Sequence, residues 1–536
     1  MSDSWAFTPL RYEARYGDRI VECFPERLPC LGAFVARWLA ERPDDEAFIY
    51  GDDRVSWREA DRRIGVLAAA LAERGLAAGD RMLLMMNNEL GFILGQLAAE
   101  RLGAITVPVG VRLTHGEVQF IANQCTARAI LYDASLADRL PSETDCPALV
   151  IREPSDGPLF DYGHDRPAIP ARAAVDELDT GYIFYTSGTT GRPKGAMINH
   201  ANMIHSAMTF VELMKLGPKD RSIVVVPMSH ISGSVAVIAT TLVAGATLII
   251  INGFEAGDFL ATASRERMTY TILVPTMYNL CLLRADFTAY DLSAWRIAGY
   301  GGAPMPEVTI ERLTEALPGA GLYNLYGATE TTSAVTYLMP EHAYARRDTV
   351  GRAGPGFDIR IMDAEDREAA TGEIGEIWIA GAVVVQGYWD NPEATAASFC
   401  AGYWRSGDLG FVDKDGFIHV VDRAKDMICR GGYKIFSAEV EAVLASHEAV
   451  FEAAVVAKPC PVLGERVHAF VALRPEAEAI GPEVLTVHIV DRLADYKRPE
   501  SWTIGFEPLP RNANGKIIKK ELRERLTVSL ELGRVS

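Results

Sequence analysis

A surplus of positive charge is missing from this chain of 536 residues. Lys and Arg total 53 against 71 Asp and Glu, a formal charge of −18. Residues 425–536 balance 16 basic against 16 acidic side chains, so the acidic excess lies before them. No basic face is evident, which argues against nucleic acid as a partner. Cysteine is sparse as well: eight residues, no C-x-x-C pair and no nearby His cluster. That argues against a zinc site and, at this length, against a disulfide framework. Met1-Ser2-Asp3-Ser4-Trp5 lacks the basic start and apolar centre of a signal peptide, and a cytoplasmic location is expected. A long unbroken apolar run is absent too. The most apolar stretch, Val235 to Ile251, contains Thr240, Thr241, Gly245 and Thr247. Gly245 splits it into a helix-like and a strand-like piece, so it reads as buried α/β structure and no membrane span is expected. There is no internal repeat and no low-complexity tail.

What is present is an alternation of short aliphatic runs with longer helical patterns. Strands are expected at Arg81–Met86, Ile105–Val109, Ala129–Tyr132, Tyr182–Tyr185, Ser222–Val226, Thr247–Ile251, Thr271–Val274, Arg296–Tyr300 and Leu322–Leu325. Helices are expected between them, such as Trp57–Arg74 and Gly91–Leu102. This pattern predicts α/β structure with parallel sheets covered by helices. Ligands of such sheets bind beyond the carboxyl ends of strands. The segment after Tyr185, Pro227–Gly233, Gly301-Gly302 and Tyr326-Gly327 all follow strand candidates, so four loops could converge on one crevice. The chain is too long for one core. We expect a large lobe over 1–424, with a β-rich, barrel-like subdomain at 351–421, and a small mobile α+β domain over 425–536.

The most informative segment runs from Tyr185 to Gly195. The ten residues after Tyr185 hold four hydroxyls (Thr186, Ser187, Thr189, Thr190), three glycines (Gly188, Gly191, Gly195) and Lys194. Glycines let backbone N–H groups approach an anion closely. Hydroxyls add donors, and the lysine adds a positive charge suited to phosphate. It is a polyphosphate cradle, but not a Walker A loop: Lys194 is flanked by Pro193 and Gly195, not by Gly and Ser/Thr.

Four further motifs follow in order. They are Tyr326-Gly327-Ala328-Thr329-Glu330, Arg405-Ser406-Gly407-Asp408-Leu409-Gly410, Asp422-Arg423-Ala424-Lys425-Asp426, and Pro510-Arg511-Asn512-Ala513-Asn514-Gly515-Lys516. In this order they resemble the acyl-adenylate-forming enzymes, which include acyl-CoA synthetases, peptide-synthetase adenylation domains and firefly luciferase. The resemblance spans about Pro43 to Leu522. It implies two steps. A carboxylate attacks the α-phosphate of MgATP, giving acyl-adenylate and pyrophosphate; a thiol then displaces AMP. Bringing two anions together needs positioning and electrostatic stabilisation.

By this resemblance, Thr186 to Lys194 would hold the β- and γ-phosphates. Glu330 would ligate Mg²⁺, with the Thr186 hydroxyl as a second ligand. Tyr326 would stack on adenine, while Gly301, Gly302 and Ala303 let the ring approach the backbone; Gly327 and Thr329 complete this nucleotide set. Asp408 would accept hydrogen bonds from the ribose hydroxyls, and Arg423 would contact ribose or phosphate. Lys516 would reach the carboxylate during adenylation, and Lys425 would be the hinge of the small domain. His230 would lie beside the acyl carboxylate and gate the thiol tunnel. Arg430, Gly431 and Gly432 fit the stretch past which the pantetheine of CoA slides.

The branch follows from what is absent. Amino-acid-activating domains carry Asp after the position of His230; here Ile231 could not compensate a buried ammonium. No carrier module follows Lys516, and the last residues are not the peroxisomal Ser-Lys-Leu signal. Acetate-restricted relatives carry Trp where this chain has Gly327, so an open pocket floor is expected, with further room at Gly233, Gly301 and Gly302. Aromatic, medium-chain or longer fatty, and polycyclic acids remain open. The leading reading is an ATP-dependent carboxylate–CoA ligase, with ATP, Mg²⁺ and coenzyme A. The alternative is a stand-alone enzyme loading an acyl-carrier protein. A homodimer is expected.

Overall fold

The computed structural model describes residues 8–141, 148–151, 171–186, 193–511 and 517–532. They form two compact units, one of residues 1–359 and 378–405, the other of 360–377 and 406–536.

The first unit is built on two sheets. Six neighbouring strands of a nine-stranded sheet run parallel: Gly321–Gly327, Ile297–Gly301, Tyr270–Leu273, Arg221–Val224, Thr247–Ile250 and Glu46–Tyr50. Its edges turn antiparallel at Ala334–Leu338 and at Asp53–Ser56. A six-stranded sheet has a parallel core of Thr180–Thr186, Ile105–Pro108, Arg81–Met85, Ala129–Asp133 and Ala148–Ile151. All nine expected strands are present, with ends within two residues of those read from sequence. Thr247–Ile250 and Ile105–Pro108 are buried at every position, as strands covered on both faces must be, which is why they read as runs and not as alternations. One core, including Trp57, Phe92, Leu84, Phe210 and Val224, receives side chains from both sheets and from the helices between them.

The Val235–Ile251 stretch divides as expected. Ser232–Ala239 forms a π-helix, Thr240–Ala244 continues as α-helix, and Thr247–Ile250 is a strand. Gly245 makes the break with φ +67°, and a side chain there would press on the Trp38 ring. No described helix is long and apolar enough to cross a membrane.

In the second unit, Gly464–Leu473 is the central strand of an α+β sheet. Val450–Cys460 lies antiparallel on one side, and Ser501–Gly505 pairs with it in parallel. Residues of Val450–Cys460 alternate between two cores. Val450 and Val455 pack with Val440, Leu444 and Ile489; Ala454 and Val456 pack with Leu522 and Leu526. The expected join at 424/425 lies inside this unit, which begins earlier in the chain and includes 406–424.

Candidate active site

Thr180–Thr186 and Lys194–Asn199 pair antiparallel, with Lys194 directly opposite Thr186. The two arms that flank the cradle segment therefore form an antiparallel pair. Lys194 opens a returning strand and does not lead into a helix as a Walker lysine does. Ser187, Gly188, Thr189, Thr190 and Gly191 lie outside the described residues. Gly195 has no room for a side chain, since a Cβ would stand 2.6 Å from Ile183 Cγ2 and 3.1 Å from the Tyr185 ring.

The base of this antiparallel pair is tied down by a buried carboxylate. Glu100, on the helix Leu90–Arg101, accepts from the Tyr182 hydroxyl at 2.9 Å and lies 3.8 Å from His200 Nδ1. Tyr182 belongs to the outgoing strand and His200 follows the returning one. Both arms are thereby referred to one helix. The returning arm ends in a capping box between Asn199 and Asn202, which starts the helix His200–Met214.

Lys194 and Glu330 meet at a third residue. The Lys194 ammonium sits over the Tyr388 ring, 5.0 Å from its centroid. The Tyr388 hydroxyl donates to Glu330 Oε1 at 2.8 Å. Glu330 is buried, held in the short turn Thr329–Thr331 that follows the strand Gly321–Gly327. The Thr331 hydroxyl accepts from Ala328 N–H at 2.8 Å and fixes that turn. Burial and the Glu330 charge push the Tyr388 hydroxyl far above the usual tyrosine range, so it remains a donor at any working pH.

Gly301 and Leu325 are register partners on adjacent parallel strands. Gly301-Gly302-Ala303 and Tyr326–Thr329 thus leave the same edge of one sheet, at strand carboxyl ends. Gly302 has φ +78° with open space where a side chain would go. Tyr326 is half-buried.

His230 is half-buried in a loop held by Asn88. The Asn88 side chain donates to Val226 O at 2.9 Å and accepts from Met228 N–H at 3.0 Å. Asn88 follows the strand Arg81–Met85 of the other sheet. One buried amide therefore joins the carboxyl ends of both sheets. His230 O accepts from Ser234 N–H at 2.8 Å, leading into the π-helix. Such widened turns are rare and concentrate at functional sites.

At three of the glycines expected to border the acyl group, a side chain would meet main chain. A Cβ on Gly327 would collide with the Ser333 carbonyl oxygen and approach Ala334 Cα to 2.7 Å. On Gly233 it would collide with the Pro227 carbonyl oxygen, and on Gly301 with that of Leu325. In all three, the place of the missing side chain is taken by neighbouring main chain. Only Gly302 of this group faces open space.

In the second unit, Asp408 and Arg423 are cross-strand partners, and Arg423 Nε lies 3.1 Å from Asp408 Oδ1. The Asp408 side chain is 10% exposed and that of Arg423 is 53% exposed. Gly407 takes φ +71°, and its N–H donates to Glu376 Oε1 at 3.0 Å. Gly431 (φ +57°) and Gly432 (φ +90°) form the two-residue turn between Ile428–Arg430 and Tyr433–Ile435. Positive φ at both positions is what such a hairpin demands, so these glycines have a local reason to be glycine. Arg430 pairs with Glu500 at 2.5 Å. Lys425 is exposed. Lys516 lies outside the described residues.

Sequence reading did not find Tyr388, Asn88 or Glu100. Gly387-Tyr388-Trp389 reads as an ordinary turn, and only long-range pairing brings it to Lys194. Mg²⁺ fits the donors that are described. Glu330 is a buried hard-oxygen group, and among the described residues no cluster of three or more His, Cys, Asp or Glu could hold a metal. An ion that arrives on phosphates and keeps its waters needs only one or two protein oxygens.

Known proteins agree with this architecture. The AMP-binding enzyme family model matches residues 35–389, and the AMP-binding enzyme C-terminal domain model matches 439–516. The chain is 33% identical to feruloyl-CoA synthase of Amycolatopsis sp over 498 residues, covering 92% of this chain and 99% of the relative. It is 31% identical to the long-chain-fatty-acid–CoA ligase FadD13 of Mycobacterium tuberculosis, covering 89% and 94%. The o-succinylbenzoate CoA synthetase of Bacillus subtilis, solved with its acyl-adenylate intermediate, superposes with a TM-score of 0.83 at 28% identity, covering 91% of this chain and 97% of that one. With two thirds of its length matched by the family model and relatives similar from end to end, the chain belongs to the AMP-binding enzyme family, in its acyl-CoA synthetase branch.

Proposed function

We propose that this protein is an AMP-forming acid–thiol ligase that joins a bulky carboxylic acid to coenzyme A through an acyl-adenylate. The observation that carries the reading is the Lys194–Tyr388–Glu330 arrangement beside strand carboxyl ends. It holds a cation and a buried carboxylate at fixed separation, which suits a polyphosphate carrying its own metal. Lys194 would take charge from the β- and γ-phosphates. Glu330, with Thr186, would hold Mg²⁺, which supplies neutralisation of phosphate charge when bound. Asp408 keeps its proposed ribose role, Arg423 its ribose or phosphate role, and Lys516 its role at the reacting carboxylate. His230 is proposed to border the acyl carboxylate and gate thiol entry, and Arg430, Gly431 and Gly432 to border pantetheine.

Coenzyme A is favoured over a carrier protein as acceptor, because the similar proteins are named as CoA ligases. Their names span aromatic and long-chain acyl groups, which supports a bulky acid of either kind. A reaction that consumes ATP and CoA suits the cytoplasm, and the seven described cysteines are all free. A homodimer is an expectation that light scattering on the purified chain checks.

The test is a panel of ferulate-like, indole-containing, bicyclic and C8–C16 acids with MgATP, with and without CoA. Acyl-CoA, AMP and pyrophosphate are expected from at least one of them. ADP and phosphate as products would overturn the adenylate mechanism.

A further inference from the structure

We propose that Tyr388 is a positioning residue that fixes the geometry between Lys194 and Glu330 before MgATP binds; this rests on the site reading above and deepens it. The tyrosine touches each charge with the part of its side chain suited to it. Its hydroxyl donates to Glu330 Oε1 at 2.8 Å, which orients the carboxylate while leaving its negative charge in place. Its ring face meets the Lys194 ammonium at 5.0 Å. A ring face attracts a cation without neutralising it, whereas a carboxylate in that place would cancel it. Both charges are thus held in position by one side chain.

The tyrosine itself is clamped by main chain on both sides. Met197 N–H donates to Gly387 O at 3.0 Å, and Trp389 N–H donates to Gly195 O at 2.7 Å. Tyr388 bridges antiparallel to Ala196, so its segment lies as a short third strand along the arm that carries Lys194. Val385 N–H, three residues earlier, donates to Glu330 O at 3.0 Å. The five residues Val385–Trp389 therefore grip the backbone of the lysine strand and of the glutamate turn. Tyr388 N–H donates to Thr395 Oγ1 at 3.0 Å, and Gly387 has no room for a side chain because Thr395 Cγ2 would stand 2.5 Å from its Cβ. Tyr388 is 5% exposed, and its ring meets Phe399 edge-on, with centroids 5.7 Å apart. A residue needed only to fill this space would not need its hydroxyl.

The test compares Tyr388→Phe and Tyr388→Leu with the parent chain by calorimetric titration of ATP, with and without Mg²⁺. In Tyr388→Phe the free Mg²⁺ needed for half-maximal MgATP binding should rise about tenfold, while the Kd for metal-free ATP stays within about twofold. Tyr388→Leu should show the same Mg²⁺ shift and also weaken metal-free ATP about threefold, because Lys194 loses the ring beneath it. Tyr388→Phe keeps the ring and its packing, so it remains informative if Tyr388→Leu does not fold. Equal weakening of both ATP forms by Tyr388→Phe, or no change in either, would overturn the assignment. If the parent chain binds no ATP in either condition, the nucleotide-site reading itself fails, which is a different result from a parent that binds and a variant that behaves like it.

Discussion

At the candidate site of the first unit, Lys194 and Glu330 are held by an uncharged tyrosine, whereas Asp408, Arg423, Arg430 and Glu500 of the second unit are held by ion pairs. Glu330 sits in a capped turn and is buried; its partner Tyr388 is clamped by a strand ladder. Arg423 pairs with Asp408 but is half exposed, and Arg430 shares Glu500 with Arg466, whose side chain is 48% exposed. Exposed ion pairs contribute roughly 0–1 kcal/mol and are screened by salt. A carboxylate fixed by a buried hydrogen bond costs about 1–3 kcal/mol when that bond is lost. The first arrangement suits a step in which two anions must be held together. The second suits a surface that can release its partners.

Replacing the buried charge should break this contrast most severely. Glu330→Gln keeps the shape but removes the charge proposed to hold Mg²⁺, and pyrophosphate release should fall by about 10²–10³-fold. Transfer of the acyl group to CoA from supplied acyl-adenylate should fall less than tenfold. Equal losses in the two half-reactions would show that the two regions do not divide the chemistry.

Next in size is Gly327. Because its missing side chain is replaced by the Ser333 carbonyl, even Gly327→Ala must push two strands apart. A loss of about 2–4 kcal/mol is expected in denaturant unfolding. Gly302→Ala faces open space and meets only the strain of φ +78°, about 1–2 kcal/mol. If Gly327→Ala proved as mild as Gly302→Ala, the main-chain filling of that position would be wrong.

In the second unit the turn glycines sharpen the comparison. Gly432→Asn keeps a residue tolerant of positive φ and should cost under about 1 kcal/mol, while Gly432→Leu should cost about 1–2 kcal/mol. If the turn borders pantetheine, Gly432→Leu should slow thioester formation while sparing pyrophosphate release; single-turnover rates of the two steps decide it. The reverse pattern would remove Gly431-Gly432 from the CoA path.

A pH dependence is expected as well. Burial, reinforced by neighbouring Asp133, pushes the Glu89 carboxyl up to about 8. Its folded value lies above its unfolded one, so the neutral form favours folding. That contribution is complete below about 4.5 and is lost as pH rises through about 8. Glu89→Gln should therefore flatten the decline in stability across this window, read as unfolding midpoints at pH 5 and pH 8. An unchanged slope would mean that the Glu89 carboxyl does not carry this pH dependence.

The strands were legible because strands buried on both faces are continuous aliphatic runs, such as Thr247–Ile250, and because Gly245 marks a break that few other residues could make. The proposed cradle also drew attention in the sequence, since glycine, hydroxyl and lysine at close spacing have few other uses. Yet nothing local says whether the chain after Gly191 returns as a strand or starts a helix. That choice belongs to the pairing of Lys194–Asn199 with Thr180–Thr186. The glycines pose a related question. A missing side chain reads as empty space, but whether that space stays empty is set by a backbone elsewhere in the chain, as with Ser333 at Gly327 and Pro227 at Gly233.

Sequence by itself determined the chemical repertoire: a segment rich in glycine, hydroxyls and lysine, an acid at 330, a carboxylate at 408 and the order in which they occur. These are properties of residue type and short spacing, which the chain carries wherever it folds. Tertiary structure alone decided which groups meet. Tyr388 is 194 residues from Lys194 and 58 from Glu330, and Asn88 is 138 from Val226. Contacts at such separations depend on strand order and register, because closing loops of that length is offset only when the whole sheet forms around them.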